Sequence, residues 1–211
     1  AIDREYRVQK ALYNTPVPVA KMLHYCDDTS ILGVDFYIME FVDGIVFEDP
    51  ALPSLSKEDR TKVFSEINRG LSALHEVNIE TVGLTDFGAD GNYYERQISR
   101  WAKQYLSSET EKISEMSEMM KELPKKIPVD NSVRSLVHGD FRLDNMIFDR
   151  KEPKLLAIID WEICTTGHPI ADLASLIMQW EQKTGKIGRG LKGLKRGPLG
   201  IPSDEEFVKE Y

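Results

Sequence analysis

Residues 135–162, SLVHGDFRLDNMIFDRKEPKLLAIIDWE, constrain the chain more than any other stretch. Two short apolar runs, 146–148 and 155–159, flank a polar turn at 149–154, a pattern that predicts a β-hairpin. His138, Asp140 and Asn145 precede the first run, and Asp160 ends the second. Antiparallel pairing brings the start of one strand beside the end of the other. Asn145 and Asp160 are then neighbours, with Asp140 on the loop leading in. An amide oxygen beside a carboxylate is a hard-oxygen pair suited to Mg²⁺ and a phosphate donor. Asp140 remains as a carboxylate able to take a proton from an attacking hydroxyl. Taken singly, an Asp or Asn in a turn more often bonds the backbone. Three of them in register with two strand signals favour a site.

H-G-D-x-x-x-x-N followed by I-D-W resembles the catalytic and metal-binding loops of the aminoglycoside phosphotransferase and choline kinase family. Equivalent loops serve protein kinases. HGDFRLDN and DWEICTTGHPIADLA, with FYIME, RQISRW and GIPS, are most similar to the kinase-like domain at the N-terminus of certain multidomain acyl-CoA dehydrogenases, family members ten and eleven, eleven more than ten. The resemblance implies an α+β, protein-kinase-like fold of the aminoglycoside phosphotransferase type. Most of it would be helical C-lobe (44–211), joined to a truncated N-lobe and hinge (1–43). It also implies ATP and Mg²⁺ as cofactors and a small-molecule acceptor.

Other properties bound the function. The chain has 211 residues, a net charge of −8 and 41% hydrophobic residues. That length can bury a sizeable core. The acidic balance argues against general nucleic-acid binding, which needs a basic surface. Cys26 and Cys164 lack metal-ligand spacing and read as reduced, buried thiols. No apolar run approaches the roughly 18 residues that span a membrane. The chain starts without Met and ends just after a helix start, so both ends read as cut.

In order, residues 2–13 predict a helix ended by Pro16 and Pro18. By resemblance, Glu5 is its lysine-pairing acid, with a solvated helix acid as the alternative. The lysine and a phosphate-covering glycine turn are expected upstream of this chain. Residues 17–25 and 36–41 read as strands. By resemblance the second leads into the hinge, where main-chain groups of Glu40 and Val42 would meet adenine. Asp43-Gly44 is the expected lobe boundary.

Ser56 and Asp59 start a helix with Val63, Ile67, Leu71 and Leu74 on its buried face and a packing His75. A loop at 84–92 leads to a helix whose Tyr94, Ile98, Trp101 and Tyr105 read as core. Arg96 and Arg100 on it read as solvated, while the resemblance of RQISRW to the family's acceptor-side helix implies that they face an anionic substrate. A third helix is expected over 108–123, then a polar linker at 125–131. Beyond Asp160, residues 162–170 read as loop, and Pro169 opens a helix burying Ile170, Leu173, Ala174 and Ile177. By resemblance Asp172 on that helix supports the catalytic loop through hydrogen bonds. Gly188, Gly190 and Gly193 satisfy G-x-G-x-x-G without the strand and helix that motif needs. Residues 185–200 therefore read as a basic loop, before a helix capped at Ser203.

The expected chemistry is ATP-dependent phosphorylation of a small-molecule hydroxyl. Asp140 orients and deprotonates the acceptor while Asn145 and Asp160 hold Mg²⁺. Arg142 contacts phosphate or acceptor, or forms a surface salt bridge. His138 packs and bonds the loop. The closest resemblance implies a hydroxyacyl-CoA acceptor, an acyl-CoA dehydrogenase domain in the same parent chain, and a mitochondrial or peroxisomal setting. An aminoglycoside or amino-alcohol kinase and a non-catalytic nucleotide-binding module are the alternatives.

Overall fold

A computed structural model describes residues 2–129, 133–185 and 189–211. Helix α1 (Ile2–Leu12) packs against a hairpin of β1 (Met22–Cys26) and β2 (Phe36–Met39). The first expected strand is shorter than its apolar pattern. Residues up to Lys21 stay irregular because the prolines at 16 and 18 withhold ladder donors. Between the strands lies a one-turn helix, α2 (Thr29–Leu32), capped by Asp28 and stopped by a left-handed Gly33.

The chain then runs onto the central hairpin. Ile45 and Phe148 exchange both backbone hydrogen bonds at 2.8 Å. A Cβ on Gly44 would fall 2.3 Å from Ile147 Cγ2 and 2.5 Å from the Phe148 carbonyl oxygen, so only glycine fits at this crossing. The hairpin is β4 (Met146–Phe148) paired antiparallel with β5 (Leu155–Ile158). On its far side Ile158 N–H donates to Pro18 at 2.9 Å. Segments preceding and following the β1–β2 hairpin thus hold both edges of the hairpin that carries the site.

Helix α3 (Lys57–His75) supplies the core wall. Ser56 caps it by accepting from Asp59 N–H, and Val63, Ile67, Leu71 and Leu74 are buried as their spacing requires. They join Val8, Leu12, Phe148, Leu155 and Trp161 in one apolar cluster. Burying each such side chain stabilises by about 1.5–3 kcal/mol against exposure.

Helices α4 (Tyr93–Ser108) and α5 (Ser114–Glu122) differ from expectation, because neither contains a fully buried residue. Trp101 is 54% exposed. Helical periodicity shows that a face is apolar without specifying what covers it. The third helix also begins six residues late. Its linker ends outside the described residues, and its first turns here are a 3-10 segment, Leu123–Lys126.

Strand β3 (Ser135–Val137) pairs antiparallel with β6 (Thr165–Gly167), in a stretch that reads as loop from sequence. Helix α6 (Ile170–Trp180) follows Pro169. It buries Asp172, Leu173, Leu176 and Trp180, leaving Ile170 and Ala174 exposed. The stripe is rotated because Asp172 must point inward. The basic segment is partly ordered. Leu191 is buried, and α7 (Arg196–Leu199) precedes α8 (Asp204–Glu210), whose Ser203 and Glu206 form a capping box. Gly188 of the glycine motif lies outside the described residues. No helix among those described is long and apolar enough to cross a membrane.

Candidate active site

The loop between β3 and β4 is fixed from beneath by one carboxylate. Asp172, 1% exposed, accepts backbone N–H bonds from His138 at 2.7 Å and Gly139 at 2.8 Å. His75 Nε2 lies 3.2 Å from the same carboxylate, and His75 Nδ1 is 2.7 Å from the Tyr211 hydroxyl. A chain of contacts therefore runs from α8's end through α3 to the loop. Sequence spacing pointed to His75 only as a packing residue, and Tyr211 carried no signal.

His138 is wholly buried. Its Nε2 donates to the Ile159 carbonyl at 3.1 Å, and its Nδ1 accepts Asp140 N–H at 3.3 Å. That pattern requires the neutral imidazole. Burial, acting chiefly through desolvation, pushes its pKa below the ordinary histidine value. His138 thus holds both site loops and bears no exposed proton.

Asn145 Nδ2 donates to the Asp140 carbonyl at 2.9 Å and to Asp140 Oδ2 at 3.0 Å. Both partners are acceptors, so the amide's orientation is determined. Its Oδ1 is left without a protein donor among the described residues. Asn145's carbonyl accepts Ile159 N–H at 2.9 Å, which sets Asn145 beside Asp160.

Asp160 is exposed and left-handed, with φ of 67°. This region is disfavoured for residues with a Cβ, though Asp tolerates it better than most. The turn ends β5, and no described residue donates to its carboxylate. An amide oxygen and a carboxylate, both free of protein donors, fit a small hard cation. Such an ion is usually held by one or two protein oxygens, with water and phosphate completing its shell. Among the described residues no cluster of three or more His, Cys, Asp or Glu offers a protein cage.

Arg142 forks onto Asp144 through Nε and Nη2, and Arg189 reaches Asp144 from the basic segment. The salt-bridge alternative describes Arg142 here, because a carboxylate two residues away matches its planar fork. Its Nη1 takes no part in that fork. Glu5 accepts from the Tyr37 hydroxyl at 3.1 Å. Burial raises the Tyr37 pKa, aided by the Glu5 charge and, less, by Asp160. Glu40 N–H is bonded to Lys21 O at 2.9 Å. That leaves Glu40's carbonyl and Val42's N–H free of backbone partners among the described residues. Arg100 lies over Trp101, while Arg96 is held on backbone carbonyls. Cys164 is buried and its thiol pKa is pushed up by desolvation; Cys26 is half-buried.

A β-hairpin packed on α1 and a mostly helical remainder, with HGDxxxxN and Asp160 meeting at a hairpin end, have the form of a protein-kinase-like phosphotransferase. The chain belongs to the phosphotransferase enzyme family (APH), which it matches over residues 1–210. It is 41% identical to acyl-CoA dehydrogenase family member 11 of Pongo abelii, over its whole length and 27% of that protein. Identity to family member 10 of Mus musculus is also 41%, over 20% of that protein. The chain thus spans about a quarter or less of these relatives. A crystal structure from Ralstonia eutropha, provisionally named an aminoglycoside phosphotransferase, superposes with a TM-score of 0.94 at 48% identity. All of this chain and 64% of that one are matched. The type VIII aminoglycoside-3′-phosphotransferase shares the fold, with a TM-score of 0.63 at 20% identity over 99% of this chain and 70% of that one.

Proposed function

We propose that this domain transfers the γ-phosphoryl group of ATP to a hydroxyl of a small molecule, with Asp140 as the base. The observation that carries this reading is the pair of hydrogen bonds that Asn145 Nδ2 donates to the Asp140 carbonyl and carboxylate. It fixes one oxygen of the Asp140 carboxylate and leaves the other to meet an acceptor hydroxyl. A carboxylate is a weak base, which suffices when the transition state is loose and the proton leaves late. Positioning then provides most of the acceleration.

Asn145 Oδ1 and Asp160 would hold Mg²⁺. The ion, when bound, neutralises charge on the nucleotide phosphates. Asp172 keeps the loop in one conformation, and His138 ties it to Ile159 beside Asp160. Glu40's carbonyl and Val42's N–H present one acceptor and one donor to an adenine edge. Neighbours of this fold include APH(2″)-IIa in a streptomycin–ATP complex and APH(2″)-Ib bound to ADP, which supports ATP as the donor. Glu5, bonded to Tyr37, would serve as the acid partner of a phosphate-binding lysine.

For the acceptor, our reading is a hydroxyacyl-CoA phosphorylated on its acyl chain, supported only in its acyl-CoA part by the names of the relatives, which are acyl-CoA dehydrogenases. An acyl-CoA dehydrogenase region in the parent protein would then receive the product. Mg²⁺-dependent ATP consumption by the full-length protein tests this, with hydroxyacyl-CoAs and aminoglycosides offered separately and in competition. Turnover selective for hydroxyacyl-CoA is expected. Preference for the aminoglycoside overturns the acceptor, and nucleotide binding without turnover on either overturns the enzymatic reading.

A further inference from the structure

A cavity of about 520 Å³ lies at the far end of the β3–β6 pair, lined by Tyr94, Arg96, Arg134, Thr166 and His168 among others. That volume is in the range of small-molecule pockets. Ser135 pairs with Gly167 and Val137 with Thr165, so the lining residues Arg134, Gly167 and His168 lie at the end of the pair opposite the loop that starts at His138. At about 3.3 Å per residue, the two ends of the pair are roughly 7–10 Å apart. None of the catalytic-loop residues lines it.

Its floor holds two guanidinium groups on a single buried residue. Arg134 donates to Thr166 Oγ1 from Nε at 3.0 Å and from Nη2 at 2.9 Å. Arg96 Nη2 donates to the Thr166 carbonyl at 3.3 Å, and its Nη1 to the carbonyls of Asp90, at 3.0 Å, and Gly91. Thr166 cannot yield, because Gly88 presses on it so closely that a Cβ there would be 2.0 Å from Thr166 Oγ1. Neutral carbonyl and hydroxyl acceptors orient these cations without neutralising them. Among the described residues, the only carboxylate paired with either is Asp90, 3.5 Å from Arg134, with a fully exposed side chain. A pair at that distance and exposure offsets only part of the two positive charges. Two like charges held in fixed positions beside a cavity disfavour the empty state and favour an anion. Tyr94 and His168 stand beside them as an aromatic wall, their ring centroids 5.6 Å apart.

We propose that this cavity is a binding site for an organic anion, a phosphate or carboxylate carried on an apolar or aromatic body. Arg96 and Arg134 meet the anionic group, and the Tyr94–His168 wall meets the body. The anion has two possible sources, the anionic end of an elongated acceptor or a separate effector.

The probe is phenyl phosphate, titrated calorimetrically into the full-length protein with a non-hydrolysable ATP analogue filling the nucleotide site. Saturable binding that weakens as salt is added is expected. Arg134→Gln should weaken it tenfold or more, and Asp90→Asn, which removes an exposed counter-charge, should tighten it a few-fold. No saturable binding by wild type overturns the proposal, as does unchanged affinity in an Arg134→Gln protein that melts like wild type. Should Arg134→Gln not fold, Asp90→Asn decides, and unchanged or weaker binding there overturns the proposal. Where the protein turns over, inhibition by phenyl phosphate competitive with the acceptor assigns the anion to the acceptor. Inhibition competitive with neither substrate assigns it to an effector, and both patterns uphold the site. The titration needs no turnover, so it decides this site even if the phosphotransfer reading fails.

Discussion

Asp172 Oδ2 lies 2.7 Å from the backbone nitrogen of His138, 34 residues earlier, and the other carboxylate oxygen takes the next amide, that of Gly139. A buried acceptor shared by two backbone donors cannot be replaced by water. Asp172→Asn keeps the shape and turns an NH₂ group against one of those donors. Unfolding should become easier by about 3 kcal/mol, or roughly 6–12 °C in Tm. Turnover should fall with it, because the loop carrying Asp140 loses its anchor. Thermal melts and kcat on the same preparation check this, and wild-type values for both would contradict it.

The outer end of the same contact chain should matter less. Tyr211→Phe removes the hydroxyl 2.7 Å from His75 Nδ1 and leaves Asp172 its two amide donors. A loss of about 1 kcal/mol is expected, with a small drop in kcat and an unchanged KM for ATP. A drop in kcat as large as that of Asp172→Asn would show that the chain, and not the carboxylate, positions the loop.

Much of this site was legible because its residues lie within one local hairpin. Asn145, Asp160 and Asp140 are brought together by a turn of six residues, so pairing the two strands places them. Asp172 was legible only through family resemblance, since α6 is remote in sequence from His138. The β3–β6 pair escaped because Thr165-Thr166-Gly167 has no alternation to read, and its partner is 30 residues away. His75 and Tyr211 escaped because a histidine on an apolar face gives no clue to what it bonds. Arg142 is ambiguous in the sequence because spacing does not say whether Asp144 takes part of its fork. For α4, the periodicity was right and the burial inferred from it was wrong.

Gly44 sits where the chain after β2 crosses the β4–β5 hairpin. Gly44→Ala places a Cβ against Ile147 and the Phe148 carbonyl, and backbone cannot move aside as a flexible side chain can. We expect destabilisation of about 1–3 kcal/mol and a raised KM for ATP, since Glu40 and Val42 lie just upstream. Unaltered nucleotide affinity would separate the hinge from the adenine site.

Acid should destabilise the fold through His138. Its folded pKa is lowered below the ordinary 6.5 by burial, so the unfolded chain binds the proton more readily. Its contribution to stability is complete above about pH 6.5 and declines as pH falls through the window below that value. The slope approaches about 1.4 kcal/mol per pH unit for one proton. Urea unfolding from pH 7.5 to 5 should show this fall, and His138→Gln should show a shallower one from a lower starting stability. Equal slopes in the two proteins would exclude His138 as its source.

The central claim is that Asp140 is the base, held ready by Asn145. Asp140→Asn in the full-length protein preserves size and removes the carboxylate. The measurement is kcat beside the Kd for ATP, with Mg²⁺ present. A fall in kcat of about 10²-fold or more, with ATP bound nearly as tightly as by wild type, is the predicted result. An Asp140→Asn protein that turns over at the wild-type rate would contradict the account.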